Sequence, residues 1–195
     1  MKNFLKAEAL ALVRNGEIQP SIDKYLEYLA LEPNQGDDDA WSSLGGAYRR
    51  LGDIDKALEH YQRAYTLNPR SSYALVNLVS LQAARNSLAD QEQLATTIPE
   101  AIRLCQDKII ETEKSIGEAS EKQIFWTWYD LGTLHLISGN TVEAINIFYH
   151  AVSLTPETAK EYFRSVLGNL VFLREHNPDI PGLAEVISLL GERAN

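Results

Sequence analysis

The residues able to do chemistry are few and scattered. Four histidines occur, His60, His135, His150 and His176, with a single cysteine, Cys105. A zinc site needs three or four His, Cys or carboxylate ligands at short helical or turn spacing. None of these histidines pairs with another His, or with Cys105, at such a spacing. His60 and His150 fall on the second helices of helix pairs, His135 at a core aromatic position, and His176 near a Pro-rich break. Alone in the chain, Cys105 excludes an intramolecular disulfide and a thiolate cluster, and its place on an apolar helix side reads as a buried, inert thiol. The pair Gly45-Gly46 lies inside a helical pattern, where close packing explains it better than a phosphate loop. Asp37-Asp38-Asp39 lacks the alternating oxygen ligands and distal Glu of a calcium loop and reads as a helix start. With no paired acid and base, the expectation is a chain without catalytic residues, metal or cofactor, and so not an enzyme.

Composition narrows the partners. Of 195 residues, 45% are apolar and 23% charged, as in a folded chain. The 27 acidic residues outnumber the 18 basic ones, giving a net charge of -9. A phosphate backbone would be repelled, and no run of Lys and Arg offsets this, so nucleic acid is not an expected partner. Lys6 and Glu8 interrupt the only N-terminal apolar stretch, and nowhere do 18 apolar residues follow one another. No membrane partner is expected, and a lone cysteine fits a cytoplasmic chain.

An internal repeat dictates the elements that position everything else. Trp41, Leu44, Gly45, Tyr48, Gly52, Ala57, Tyr61, Ala64, Leu67 and Pro69 return 87 positions later as Trp128, Leu131, Gly132, His135, Gly139, Ala144, Phe148, Ala151, Leu154 and Pro156. Trp41, Leu44, Gly45 and Tyr48 are spaced by threes and fours, so they share one helix face; Ala57, Tyr61 and Ala64 do the same on a second helix. Gly52 ends the first helix and Asp53 caps the second. Gly139 and Asn140 repeat the device, and Glu143 would complete a reciprocal cap with Asn140. Small residues at Gly45, Ala57 and Ala64 let the two helices approach. Each unit is therefore an antiparallel helix pair, with the indoles of Trp41 and Trp128 expected to be buried between neighbours.

The pattern W-x2-L-G-x2-Y, then Ala, an aromatic, Ala and a closing Pro, resembles the tetratricopeptide repeat, whose period is about 34 residues. The resemblance implies an all-α fold: a right-handed α-solenoid of stacked antiparallel helix pairs over 1–195. Within it, 38–71 and 125–158 are clear repeats. Residues 2–35 form a degenerate first repeat, with Leu5, Ala9 and Leu12 packing and an enlarged loop at Gln35–Asp39. Residues 72–118 form an enlarged, irregular middle repeat. There Leu75, Leu78 and Val79 keep the first helix, the regular turn is lost after Asn86, and 87–97 is a loop or a short extra helix. Pro99 opens a long second helix with Ala101, Ile102, Cys105, Ile109 and Ile116 on one side. Residues 159–195 supply capping helices, one carrying Tyr162, Val166, Leu170 and Leu173, the last Leu183, Val186, Ile187 and Leu190.

Function is then expected on the surface. In such solenoids the first helix of each pair lines a concave groove that commonly receives a peptide of another protein. With the repeat signature turned inward, Asp39, Ser42, Gly46, Arg49 and Arg50 face that groove. Tyr73, Val76, Asn77, Ser80 and Ala83 correspond in the next repeat, and Trp126, Tyr129, Asp130 and Thr133 in the last clear one. Tyr73, Tyr129 and Arg49 stand out as anchors, because aromatic residues and Arg carry interface energy; Trp126 has packing against the preceding helix as its competing role. The two-carboxylate clamp that holds heat-shock chaperone C-termini is not expected. Lys6 and Asn77 fit it, but Leu10, Ser43 and Tyr73 stand where its other polar members are needed. The reading is a non-catalytic protein-protein interaction module or scaffold with a protein or peptide partner. An accessory or regulatory subunit of an enzyme complex is the alternative, and the terminal helices offer a route to a homodimer.

Overall fold

The computed structural model describes residues 2–114 and 118–194, with side chains over 4–114 and 124–194. Its α-helices are α1 (Lys2–Arg14), α2 (Ile18–Leu29), α3 (Asp38–Arg50), α4 (Ile54–Leu67), α5 (Ser72–Arg85), α6 (Leu88–Glu113), α7 (Glu118–Ile137), α8 (Thr141–Leu154), α9 (Lys160–His176) and α10 (Leu183–Ala194). A short 3-10 turn covers Glu32–Asn34, and there is no strand among the described residues. The fold is all-α, as the repeat implies. Two compact units divide it, Met1–Leu81 and Gln82–Asn195, with the boundary inside α5.

In the first unit α1 packs on α2 and α3 on α4. Gly16 and Gly52 both take left-handed backbone (φ 81° and 79°), which glycine adopts without a Cβ penalty, so each helix pair reverses in a tight turn. Asp53 then caps α4 by accepting from the Lys56 N–H at 3.1 Å. Tyr25, Tyr61, Ile22 and Leu44 fill the core and are almost fully buried. At Gly45 an added Cβ would lie 2.8 Å from the Tyr61 ring, so the helix approach inferred from small residues is literal. The chain between α2 and α3 is tied down: the Asn34 side chain donates to the Tyr28 carbonyl at 2.8 Å, and Asp37 caps α3. In α1, Ala9 is buried while Leu5 and Leu12 are half-covered.

The tryptophans depart from expectation. Trp41 and Trp128 are half-buried rather than enclosed. Trp41 lies flat against His60 (centroids 5.5 Å apart) and donates to the Gln35 carbonyl; Trp128 meets His150 edge-on at 4.6 Å. The Tyr61 and Phe148 rings, seated against glycine, take the deepest positions instead.

The second unit corrects the reading of the middle repeat. Its turn is kept rather than lost. Asn86, one 34-residue period after Gly52, takes the left-handed conformation (φ 51°), which Asn tolerates best after glycine. Ser87, in the place of Asp53, caps α6 reciprocally with Asp90, whose carboxylate also receives Arg85 at 2.7 Å. The bond from Arg85, joined by those from Ser87, holds the Asp90 carboxyl below the usual carboxylate range although burial opposes ionisation. Residues 88–97 are therefore neither a loop nor a separate helix. They are the first turns of α6, and Pro99 sits inside that helix instead of opening it. No proline follows one period after Pro69, so nothing stops α6 there and it runs on to Glu113. It buries Ala101, Leu104, Cys105 and Ile109, with Ile102 half-covered; Ile116 lies outside the described residues. Burial pushes the Cys105 thiol far up, as expected of an inert thiol.

Helix α7 packs against α6 and α8, and α9 against α10. An added Cβ at Gly132 would meet the Phe148 ring at 2.8 Å, repeating the Gly45–Tyr61 fit. Asn140 precedes α8 without making a side-chain cap, so the reciprocal cap with Glu143 does not form. In the terminal helices Val166, Leu170 and Leu173 of α9 and Leu183, Val186 and Leu190 of α10 are buried in one cluster with Phe148 and Leu136, and Tyr162 and Ile187 are partly buried against it. The apolar stripe of α10 is thus spent within its own unit.

One consequence concerns pH. His60 is buried between Trp41 and Tyr48 (5.5 and 5.1 Å), and its Nδ1 has no partner among the described residues. Burial lowers its pKa below that of a free imidazole; Glu59 and Asp53 act the other way, and Lys56 adds to the lowering. The unfolded chain then binds the proton more readily, so the term favours folding above the ordinary histidine pKa of about 6.5 and is lost as pH falls through the lower folded value. Urea midpoints measured from about pH 7 downward are expected to drop less in His60→Phe than in the parent. Equal drops would show that His60 is not held neutral.

Candidate protein-interaction surface

The face expected to bind is built, in the first unit, from α3 and the opening turns of α5. Asp39, Arg50 and Tyr73 are exposed; Gly46, Arg49 and Ser80 are half-buried. Three expected surface residues are buried instead. Ser42 is 2% exposed, Val76 4% and Asn77 8%, so Ser42 and Val76 present nothing to a partner. Asn77 acts on its neighbours instead, since its amide donates to the Tyr73 carbonyl at 2.8 Å and its oxygen accepts from Arg49 at 3.1 Å. That second bond fixes the guanidinium over the surface. The Ser80 hydroxyl is returned to the Val76 carbonyl.

Near the start of α3 the charges are already satisfied. Lys6 binds Asp37 at 2.8 Å and Asp39 at 2.9 Å, and the Tyr28 hydroxyl donates to Asp37. Burial disfavours ionisation of Asp37, but the bonds from Lys6, the Ala40 N–H and Tyr28 outweigh it and lower its pKa. Burial likewise opposes the charge on Lys6, and its two carboxylate partners more than restore it. A lysine committed in this way is not available to clamp a partner's carboxylates. The Asp37–Asp39 run is a helix cap with an internal counter-ion.

In the second unit the largest correction is Tyr129. It is 2% exposed; its ring lies 6.0 Å from Phe148 and its hydroxyl 2.9 Å from the Thr155 hydroxyl, so it is a core residue and not an anchor. A helix flanked by both α6 and α8 has its repeat-signature face covered and part of the adjoining face as well. Trp126, Asp130 and Thr133, four and three residues apart, form the remaining half-buried stripe. Trp126 packs against Phe125 and edge-on to Tyr162 of α9 at 5.4 and 5.3 Å. Thr133 bonds the Tyr129 carbonyl, and Ala83 is buried.

What the sequence reading missed lies beneath Gly46. Tyr61 is fully buried, and its hydroxyl sits 3.2 Å from where a Gly46 Cβ would be and faces the Tyr73 side chain. Burial raises its pKa, so it stays a neutral phenol. The half-exposed Tyr73 ring stands edge-on to it at 6.2 Å. Among the described residues no group of three His, Cys, Asp or Glu could hold a metal, and no helix is long and apolar enough to cross a membrane.

Comparison with known proteins agrees with this geometry. Models described as tetratricopeptide repeat match residues 38–71 and 127–158, the two stretches built around the Gly45–Tyr61 and Gly132–Phe148 contacts. The chain thus carries two tetratricopeptide repeats, the repeat on which protein-interaction scaffolds are built. It is 28% identical over 133 residues to "Photosystem I assembly protein Ycf3" of Rippkaea orientalis, a match covering 61% of this chain and 77% of that protein. With the protein of the same name from Prochlorococcus marinus subsp. pastoris it shares 31% over 85 residues, 43% of this chain and 49% of the other. The chain thus spans about three quarters of the first relative and about half of the second. The crystal structure of PilW, a type IV pilus biogenesis factor, superposes with a TM-score of 0.58 at 13% identity, covering 99% of this chain and 76% of that one, a likeness of fold.

Proposed function

We propose that the chain is a non-catalytic cytoplasmic module that holds a partner polypeptide against the first-helix faces of its repeats and thereby helps assemble a multi-subunit complex. The observation that carries this is the face of α3 and α5. Its accessible groups, Tyr73 and Arg49, are interface types, held by Asn77 and Tyr61 rather than by an acid-base pair. The likeness to Ycf3 supports a role in assembly, and a buried lone cysteine supports a reducing compartment. An accessory subunit of an enzyme complex differs only in the partner.

Tyr73→Ala combined with Arg49→Ala is expected to weaken recovery of partners in affinity purification from the native host at least tenfold, about 1.4 kcal/mol, with helicity and melting temperature nearly unchanged. Undiminished recovery by the double variant would remove the face from consideration.

A further inference from the structure

The chain is acidic, yet the first-unit face is basic at the C-terminal end of α3. Although acidic residues outnumber basic ones 27 to 18, the α5 residues of this unit carry no charge at all. The carboxylates of Asp37 and Asp39 on the α2–α3 connection and α3 are already paired with Lys6. At the other end of α3, Arg49 is held by a neutral amide, and Arg50 is exposed with no carboxylate partner among the described residues. Two adjacent guanidinium groups therefore stand uncompensated, one of them already oriented.

The surface beside them is open where an extended chain would pass. Gly46 precedes Arg49 by three residues and Arg50 by four, so all three share one side of the helix. Lacking a side chain, Gly46 leaves the helix backbone open to a passing chain above Tyr61, and the exposed Tyr73 ring stands to one side as an apolar wall.

We propose that this face selects an acidic segment of its partner: an extended peptide whose backbone crosses Gly46 and Tyr73 and whose Asp or Glu side chain binds Arg49 and Arg50. This rests on the reading of the face as the partner-binding surface and adds its chemistry. A single carboxylate pair with Arg suffices; the two-carboxylate clamp, for which Lys6 is already committed, is not involved.

The test is to pan a phage-displayed library of random linear peptides against the immobilised full chain, then measure the recovered peptides by fluorescence polarisation. Enrichment in Asp and Glu is expected, with affinity falling about tenfold or more in Arg49→Gln/Arg50→Gln, retained in large part in Arg49→Lys/Arg50→Lys, and weakened by added salt. Peptides that lose binding to Tyr73→Ala, yet lack acidic enrichment and ignore the Gln variant, would overturn the acidic selectivity and leave the face as the binding surface. Peptides indifferent to both variants, or a library yielding no binder, would overturn both. Unchanged circular dichroism of the variants ties any loss to the surface.

Discussion

Gly132→Leu is expected to cost about 3 kcal/mol or more and to disrupt the second unit before it affects any surface. Even the first added carbon would lie 2.8 Å from Phe148 Cε2 and 2.9 Å from Cδ2. The obstacle is a ring that is itself fully buried, with Ala144 and Ala151 packed in the same cluster, so it has no free direction in which to retreat. Overpacking of a filled core costs about 1–3 kcal/mol, and more where helix axes must separate. At roughly 2–4 °C per kcal/mol for a chain of this size, the melting temperature should fall by about 6 °C or more. Gly132→Ala should show part of the same loss, because the ring must still move aside to admit that first carbon. A Leu variant as stable as the parent would mean that α7 and α8 do not meet at this position.

Tyr129→Ala is expected to be equally severe, which reverses what its place in the repeat suggests. Removing a buried aromatic ring costs about 3–5 kcal/mol through lost burial and the cavity left behind. The ring is 2% exposed against Phe148, and its hydroxyl pairs with that of Thr155, which in turn reaches the Ala151 carbonyl at 2.8 Å. Tyr129→Phe keeps the ring and should cost only about 1 kcal/mol, since Thr155 retains its other bond. Thermal or urea unfolding of the pair of variants checks both values. A Tyr129→Ala protein with parental stability but impaired binding would return Tyr129 to the surface. For this reason partner binding is tested with Tyr73 and Arg49.

The helix pairs, their turns and the glycine-aromatic contacts were legible because they depend on neighbours close in sequence. Gly52 and Asp53 act within one turn, and Gly45 and Tyr61 recur at Gly132 and Phe148 with the same offset. Even the corrected middle repeat carried its signal, since Asn86 and Ser87 stand one period after Gly52 and Asp53. Pro99 carries the opposite signal, since proline is commoner in the first turn of a helix than inside one, where it stands here.

Surface assignment was legible only in part. Asp39, Arg50 and Tyr73 are exposed as read, whereas Ser42, Val76, Asn77 and Tyr129 are buried. Periodicity identifies the face a helix turns toward its own pair, but a helix between two neighbours is covered on more than that face. Which residues remain open depends on where adjacent helices lie. The sequence by itself determined that this chain is all-α, with tetratricopeptide hairpins over 38–71 and 127–158, because each hairpin is specified by local spacing. Only the tertiary structure decided that Tyr129 supports the core, that Lys6 is consumed by Asp37 and Asp39, and that Arg49 is held out by Asn77. Those roles arise between residues 26 to 33 positions apart, where packing distance, not periodicity, decides which groups meet.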